Sequence, residues 1–119
     1  MNAWTEGLTD VLTSYADRYH RPVFLTETAW VGTVGERLAW LDASVACVRG
    51  LRERGVDVVG YTWWPLFDMV EWTYRHGAEP VDAYRLAMGL WDLVRDDAGV
   101  LRRVRNPVAD RFRYHAHRR

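Results

Sequence analysis

Apolar positions recur at helical spacing near the start of the chain. Leu8, Val11, Leu12 and Tyr15 predict an amphipathic helix over about Thr5 to Arg18, and Pro22 stops it four residues later. The run Val23-Phe24-Leu25-Thr26 follows, rich in β formers and without alternation, which predicts a buried strand spanning Pro22 to Thr26 and ending at Glu27. Val31 to Gly35 carries two glycines and is a loop. Leu38, Leu41, Val45, Val48 and Leu51 restore the helical period between Glu36 and Arg54. Gly55 ends that helix, with Arg49, Arg52 and Arg54 in the last turns, where the helix dipole favours cations. Val56 to Thr62 is a second buried strand. A helix of nineteen residues between two apolar strands is the pattern of a βαβ unit with a parallel sheet.

Beyond this unit the pattern loses its period. Trp63 to Tyr84 is a long aromatic segment, and loops of that length in compact domains are functional or disordered; this one is too aromatic for disorder. Leu90–Val94 and Val100–Val104 flank Arg95-Asp96-Asp97-Ala98-Gly99 and predict a hairpin. Pro107 opens a last helix with Asn106 as its N-cap, and the tail His115 to Arg119 is expected to fray.

Composition narrows the functions available. The 119 residues suffice for one small domain, and acidic and basic residues balance at 16 each. A net charge of zero argues against nucleic acid and anionic membrane as main partners. All the basic residues are Arg. The single cysteine, Cys47, excludes an internal disulfide and a cysteine-rich zinc site, and its place in a helical apolar pattern marks it as a small buried hydrophobe. No signal peptide and no apolar run of about 20 residues is present, so a cytoplasmic location is the expectation. Seven Trp in so short a chain supply either core anchors or flat surfaces for sugar rings.

Two places could carry chemistry, each at the C-terminal end of a predicted parallel strand, which is where α/β barrels hold their active sites. Glu27 ends the first strand and can project into a barrel mouth; a carboxylate there can also serve as a helix cap or a surface ion pair. The second strand runs into Gly60-Tyr61-Thr62-Trp63-Trp64-Pro65-Leu66-Phe67-Asp68-Met69-Val70-Glu71-Trp72. Aromatic faces beside a hydrogen-bond acceptor suit a sugar, whose ring faces are apolar and whose hydroxyls need polar partners; a packed aromatic loop with a solvated Glu71 is the alternative. His115-x-His117 has a metal-compatible spacing, but in a terminal Arg-rich helix both rings are expected to be solvated.

These residues resemble family 1 of the glycoside hydrolases, the (β/α)8 barrels that include β-glucosidases. Thr26-Glu27 resembles the start of that family's Thr-Glu-Asn-Gly nucleophile motif on strand seven, with Thr28-Ala29 in place of Asn-Gly. Gly60, Tyr61, Trp64, Leu66, Asp68, Glu71 and Trp72 fall without a gap on its strand-eight stretch Gly-Tyr-Phe-x-Trp-Ser-Leu-x-Asp-Asn-Phe-Glu-Trp, with Pro65 for Ser and Met69-Val70 for Asn-Phe. Met88-Gly89-Leu90 is similar to its Phe-Gly-Leu, and the Asn106-Pro107 helix to its closing helix. The resemblance implies an α/β fold: a partial (β/α)8 TIM barrel, its last two βα units (strands seven and eight), with a C-terminal hairpin and helix. Residues 1–119 would form a single incomplete domain.

On the same resemblance Glu27 is the nucleophile, Trp64 the surface beneath the sugar, and Glu71 with Trp72 the partners of its outer hydroxyls. Asp68 is expected to be a structural hydrogen-bonder. No cofactor and no metal is implied, because retaining glycosidases work with carboxylates alone. The family's acid/base glutamate lies in an Asn-Glu-Pro stretch on strand four, and Asn-Glu occurs nowhere here. A full barrel takes about 250 residues. The expectation is therefore a fragment that binds a β-glycoside or sugar, is completed by an N-terminal barrel half and is inactive alone; the alternative is a non-catalytic sugar-binding or structural remnant that self-associates through its unpaired edges.

Overall fold

The computed structural model describes residues 3–118. Helix α1 (Ala3–Tyr19) precedes strand β1 (Val23–Thr28), helix α2 (Val34–Glu53) and strand β2 (Val58–Trp63). β1 and β2 pair in parallel, Val23 beside Val58, Leu25 beside Tyr61 and Thr28 beside Trp63, so α1-β1-α2-β2 contains the expected βαβ unit. After β2 come the two-residue strands β3 (Met69–Val70) and β4 (Arg85–Leu86), antiparallel to each other, with 3₁₀ turns at Trp72–His76 and Val81–Tyr84 between them. Strands β5 (Trp91–Arg95) and β6 (Leu101–Arg105) form the predicted hairpin, and α3 (Pro107–His117) closes the chain.

Local chemistry accounts for the element boundaries. Thr33 caps α2 through a complete capping box: its hydroxyl accepts from the Glu36 N–H at 3.2 Å and Glu36 Oε2 accepts from the Thr33 N–H at 2.8 Å. The Thr33 N–H and the Thr33 hydroxyl, which donates to the same Oε2 at 2.9 Å, hold the Glu36 carboxyl below its usual pKa. Gly55 takes φ +88° just past α2, which a side-chain-bearing residue rarely adopts. In the β5–β6 turn Asp96 Oδ1 accepts from the N–H groups of Ala98 and Val100, and Gly99 supplies φ +79°. The Asn106 side chain accepts from the Val108 N–H and starts α3.

Two clusters bury the helix-facing side of the sheet. Leu12, Val48, Leu51 and Val58 pack α1 and α2 against β1 and β2. Leu41, Trp63, Leu90, Val108 and Ala109 join α2, β2, the start of the hairpin and α3. The opposite side of the sheet is uncovered. Phe24 is 51% exposed and Val59 57%, so the strands are not buried on both faces as their unbroken apolar runs predict. A continuous apolar run reports that both faces are suited to burial, and here helices cover only one. The chain is correspondingly drawn out, with principal extents of 53 × 31 × 23 Å. Its radius of gyration is 16.8 Å, against roughly 13.5 Å for a compact domain of this length.

The tail differs from expectation. α3 stays helical to His117, and His115 is not solvated: its Nε2 lies 2.6 Å from Asp42 Oδ1, docking α3 on α2. Cys47 is half-buried, its Sγ 3.2 Å from Thr9 Oγ1 across the α1–α2 contact. Among the described residues no helix is long and apolar enough to cross a membrane.

Candidate active site

The pairing of β1 with β2, which is irregular between Leu25 and Thr28, sets which residues meet the helices. Leu25 and Tyr61 pair in register and pack in the helix-side clusters. Thr28 and Trp63 do the same further on: Thr28 Oγ1 accepts from Trp40 Nε1 on α2 at 3.0 Å, and Trp63 is 5% exposed with its Nε1 donating to Met88 O. Glu27, one residue before Thr28, and Trp64, one after Trp63, are both exposed and stand at the C-terminal ends of two adjacent parallel strands. The Trp64 N–H still donates to Thr28 O at 3.0 Å, which keeps the chain alongside β1 through this point. Glu27 is exposed and has no hydrogen bond or ion pair among the described residues, and Trp64 is 42% exposed. The Trp64–Pro65 bond is cis.

On the uncovered side of the sheet, Phe24 lies across Gly60. A Cβ on Gly60 would fall 1.7 Å from the Phe24 ring, so the absence of a side chain there makes room for the aromatic. Beside Glu27, Trp30 stacks on Trp4 with centroids 5.4 Å apart and planes at 10°, and both lean on Trp40. These indoles close the top of the α1–α2 contact next to the β1 end.

Glu71 and Trp72 sit apart from this pair. They begin the excursion between β3 and β4, in which every residue from 71 to 80 is exposed. Glu71 Oε2 accepts from Thr73 Oγ1 at 3.3 Å, and the Arg75 guanidinium covers Trp72 at 4.3 Å from the ring centroid. No hydrogen bond, ion pair or ring contact among the described residues joins Glu71 or Trp72 to Glu27 or Trp64.

What holds the excursion is a buried polar hub. The Asp68 side chain is fully inaccessible and accepts four hydrogen bonds: Met88 N–H and Gly89 N–H on Oδ1, Arg85 Nε and Leu93 N–H on Oδ2. Burial alone would raise its pKa, but the Gly89 and Leu93 N–H groups and the neighbouring Arg85 outweigh it and leave the carboxyl below its usual value. Arg37, 1% exposed, donates to Gly89 O at 2.7 Å and through both terminal nitrogens to Asp92 Oδ1 at 3.0 Å. Arg85 Nη2 reaches Asp92 at 3.3 Å, and Asn106 Nδ2 donates to Asp92 and to Gly89 O. Six segments therefore meet at one knot: α2, the β2–β3 loop, β4, the β4–β5 loop, β5 and the start of α3. The structural role expected of Asp68 is the one it has.

Arg37 and Arg85 are not singled out by motif reasoning, yet Arg37 left a trace. It falls on the stripe Arg37, Leu41, Ser44, Val48, Leu51, whose other members are the buried face of α2. A charge on the buried stripe of a helix requires a partner. Arg85 carries no comparable signal, because its neighbourhood is made by a loop. Among the described residues no group of three or more His, Cys, Asp or Glu is arranged to hold a metal ion.

With this geometry in view, the chain can be set beside known proteins. No family model matches it. It is 40% identical over 82 residues to a β-galactosidase of Saccharolobus solfataricus, which covers 65% of this chain and 17% of that protein. In structure it is similar to the β-glycosidase of Thermosphaera aggregans, with a TM-score of 0.71 and 29% identity over 93% of this chain and 21% of that one. It is likewise similar to the β-glucosidase of Pyrococcus furiosus, with a TM-score of 0.70 and 28% identity, again over 93% and 21%. The chain thus spans only about a fifth of the length of these relatives. The resemblance carried by the Thr26-Glu27 and Gly60–Trp72 stretches extends over most of the chain.

Proposed function

We propose that this chain, a β-glucosidase-like relative of family 1 of the glycoside hydrolases, supplies the nucleophile side of a retaining β-glycosidase site and forms an incomplete domain, the last two βα units of a (β/α)8 barrel. Glu27 attacks the anomeric carbon of a β-glycoside, the glycosidic bond breaks, and the leaving oxygen takes its proton from a second carboxyl group; water then hydrolyses the glycosyl ester. The second carboxyl must stand about 5–5.5 Å from the first. The sequence holds no Asn-Glu, so the acid/base comes from the barrel strands that complete the site. Trp64 provides the apolar face beneath the sugar, and Glu71 with Trp72 receives its outer hydroxyls once a sugar draws the excursion inward.

One observation supports this reading: Glu27 and Trp64 are both exposed at the C-terminal ends of adjacent parallel strands. The test is co-expression with a polypeptide holding the remaining strands of a related β-glycosidase, followed by hydrolysis of an aryl β-glycoside. Activity should appear, and Glu27→Gln should lower it at least about a thousandfold, roughly 4 kcal/mol of transition-state stabilisation. Complemented activity that survives Glu27→Gln refutes the assignment.

The uncovered Phe24, Val59 and Leu66 favour a second reading, a sugar-binding or structural remnant that associates with itself. Defined oligomers with a tryptophan fluorescence response to glucose, and no activity on complementation, would select it.

A further inference from the structure

The helix-covered side of the sheet holds a cavity of about 270 Å³ between α2, α3 and β2. Its floor is apolar, made by Val45, Val48 and Phe112, and its rim carries Arg49, Arg52 and Arg118 with Tyr61 and His115. Nine of the fifteen described guanidinium groups have no carboxylate oxygen within 4 Å, and three of those nine line this cavity. Arg37, Arg85, Arg95, Arg102, Arg105 and Arg111 each have a carboxylate oxygen within 4 Å. Arg49, Arg52 and Arg118 have no carboxylate partner among the described residues. Arg52 spends its Nε on Val58 O and Arg118 one terminal nitrogen on the Tyr114 hydroxyl, while Arg49 keeps every donor. His115 also lines the cavity. Its Nε2 is taken by Asp42, but its Nδ1 is buried without a hydrogen-bond partner.

Guanidinium forks without acids, gathered at the mouth of an apolar-floored cavity, are donors arranged for oxyanions. The volume is far above what one water needs. We infer that this cavity binds a small multivalent oxyanion, a phosphorylated or carboxylated molecule whose charged groups meet Arg49, Arg52 and Arg118 while its body rests on Val48 and Phe112. The site lies behind the sheet, so it is independent of the reading of Glu27 and its failure leaves that reading untouched.

The experiment titrates the purified chain with pyrophosphate, inorganic phosphate and citrate at an ionic strength matched with sodium chloride. Heat is read by calorimetry, and the His115 and Phe112 ring resonances by NMR. Saturable binding that moves both rings is expected with at least one probe. A preference for the phosphates identifies a phosphoryl ligand and a preference for citrate a carboxylate. Arg49→Ala and Arg118→Ala should each weaken the preferred probe at least about tenfold, while Arg113→Ala, outside the cavity, leaves it unchanged. Should Arg49→Ala lose its circular dichroism signal, Arg49→Lys decides: the charge stays, the fork goes, and affinity should still fall. A response no larger than that to chloride, or undiminished affinity in the folded Arg49 variant, overturns the inference.

Discussion

Replacing Asp68 with Asn tests whether the buried hub holds the β3–β4 excursion against the rest of the chain. Asn keeps the shape but has one acceptor oxygen, whereas each Asp68 oxygen now accepts from two donors. Whichever way the amide turns, its NH2 faces either the Met88 and Gly89 N–H groups or Arg85 and the Leu93 N–H. Two buried donors left without acceptors cost about 1–3 kcal/mol each, and breaking a buried ion pair costs about 3–5 kcal/mol. The two routes agree on a loss of about 3–5 kcal/mol. With a urea slope of about 2 kcal/mol per molar, the unfolding midpoint should drop by about 2 M. The pH dependence gives an independent check. The Asp68 pKa is depressed in the folded chain, so its contribution is fully present above the unfolded carboxylate value, near about 4, and is lost as pH falls through the folded value. The gap between parent and variant should hold from neutral pH to about 5 and narrow below about 4. A midpoint shift under about 0.5 M, or a gap that does not narrow in acid, refutes the reasoning.

Three further changes have clear expected outcomes. A Cβ on Gly89 would stand 2.3 Å from Asp68 N and 2.4 Å from Phe67 C, so Gly89→Ala must displace backbone and should cost about 3 kcal/mol or more, whereas Gly60→Ala meets only the half-exposed Phe24 ring and should cost under about 1 kcal/mol by urea unfolding. Thr33→Ala removes the α2 capping box and should lower stability by about 0.5–2 kcal/mol, with a reduced loss at acid pH, where protonated Glu36 no longer favours the cap. Burial pushes the Tyr61 hydroxyl up to about 12 despite its hydrogen bond to Ser44; ultraviolet titration should therefore show one tyrosine, absent in Tyr61→Phe, that stays neutral beyond pH 11.

The elements legible in the sequence are those set by local chemistry. Leu8–Tyr15 and Leu38–Leu51 carry the helical period, Gly55 and Asn106 mark helix ends, and the Asp96–Gly99 turn signals the hairpin; all appear within a few residues of their expected bounds. The parallel pairing of β1 with β2 follows from the helix between them. What was not legible depends on partners distant in sequence. Whether Phe24 and Val59 are covered depends on which layers surround the sheet, and period cannot report that. The docking of His115 depends on Asp42, which lies 73 positions away. The contacts of Glu71 and Trp72 depend on the path of an aperiodic segment. Of the candidate site, the place of Glu27 and Trp64 at the ends of neighbouring parallel strands was readable because the βαβ pattern fixes it.

The hub gathers the stem of the excursion at Asp68, Arg85 and Gly89, while its tip from 71 to 80 touches water throughout. Substitutions at the solvated tip, at Thr73 or Glu79, therefore leave the hub's hydrogen bonds intact. A change at Asp68 instead strands three backbone N–H groups that no replacement at Arg85 can satisfy.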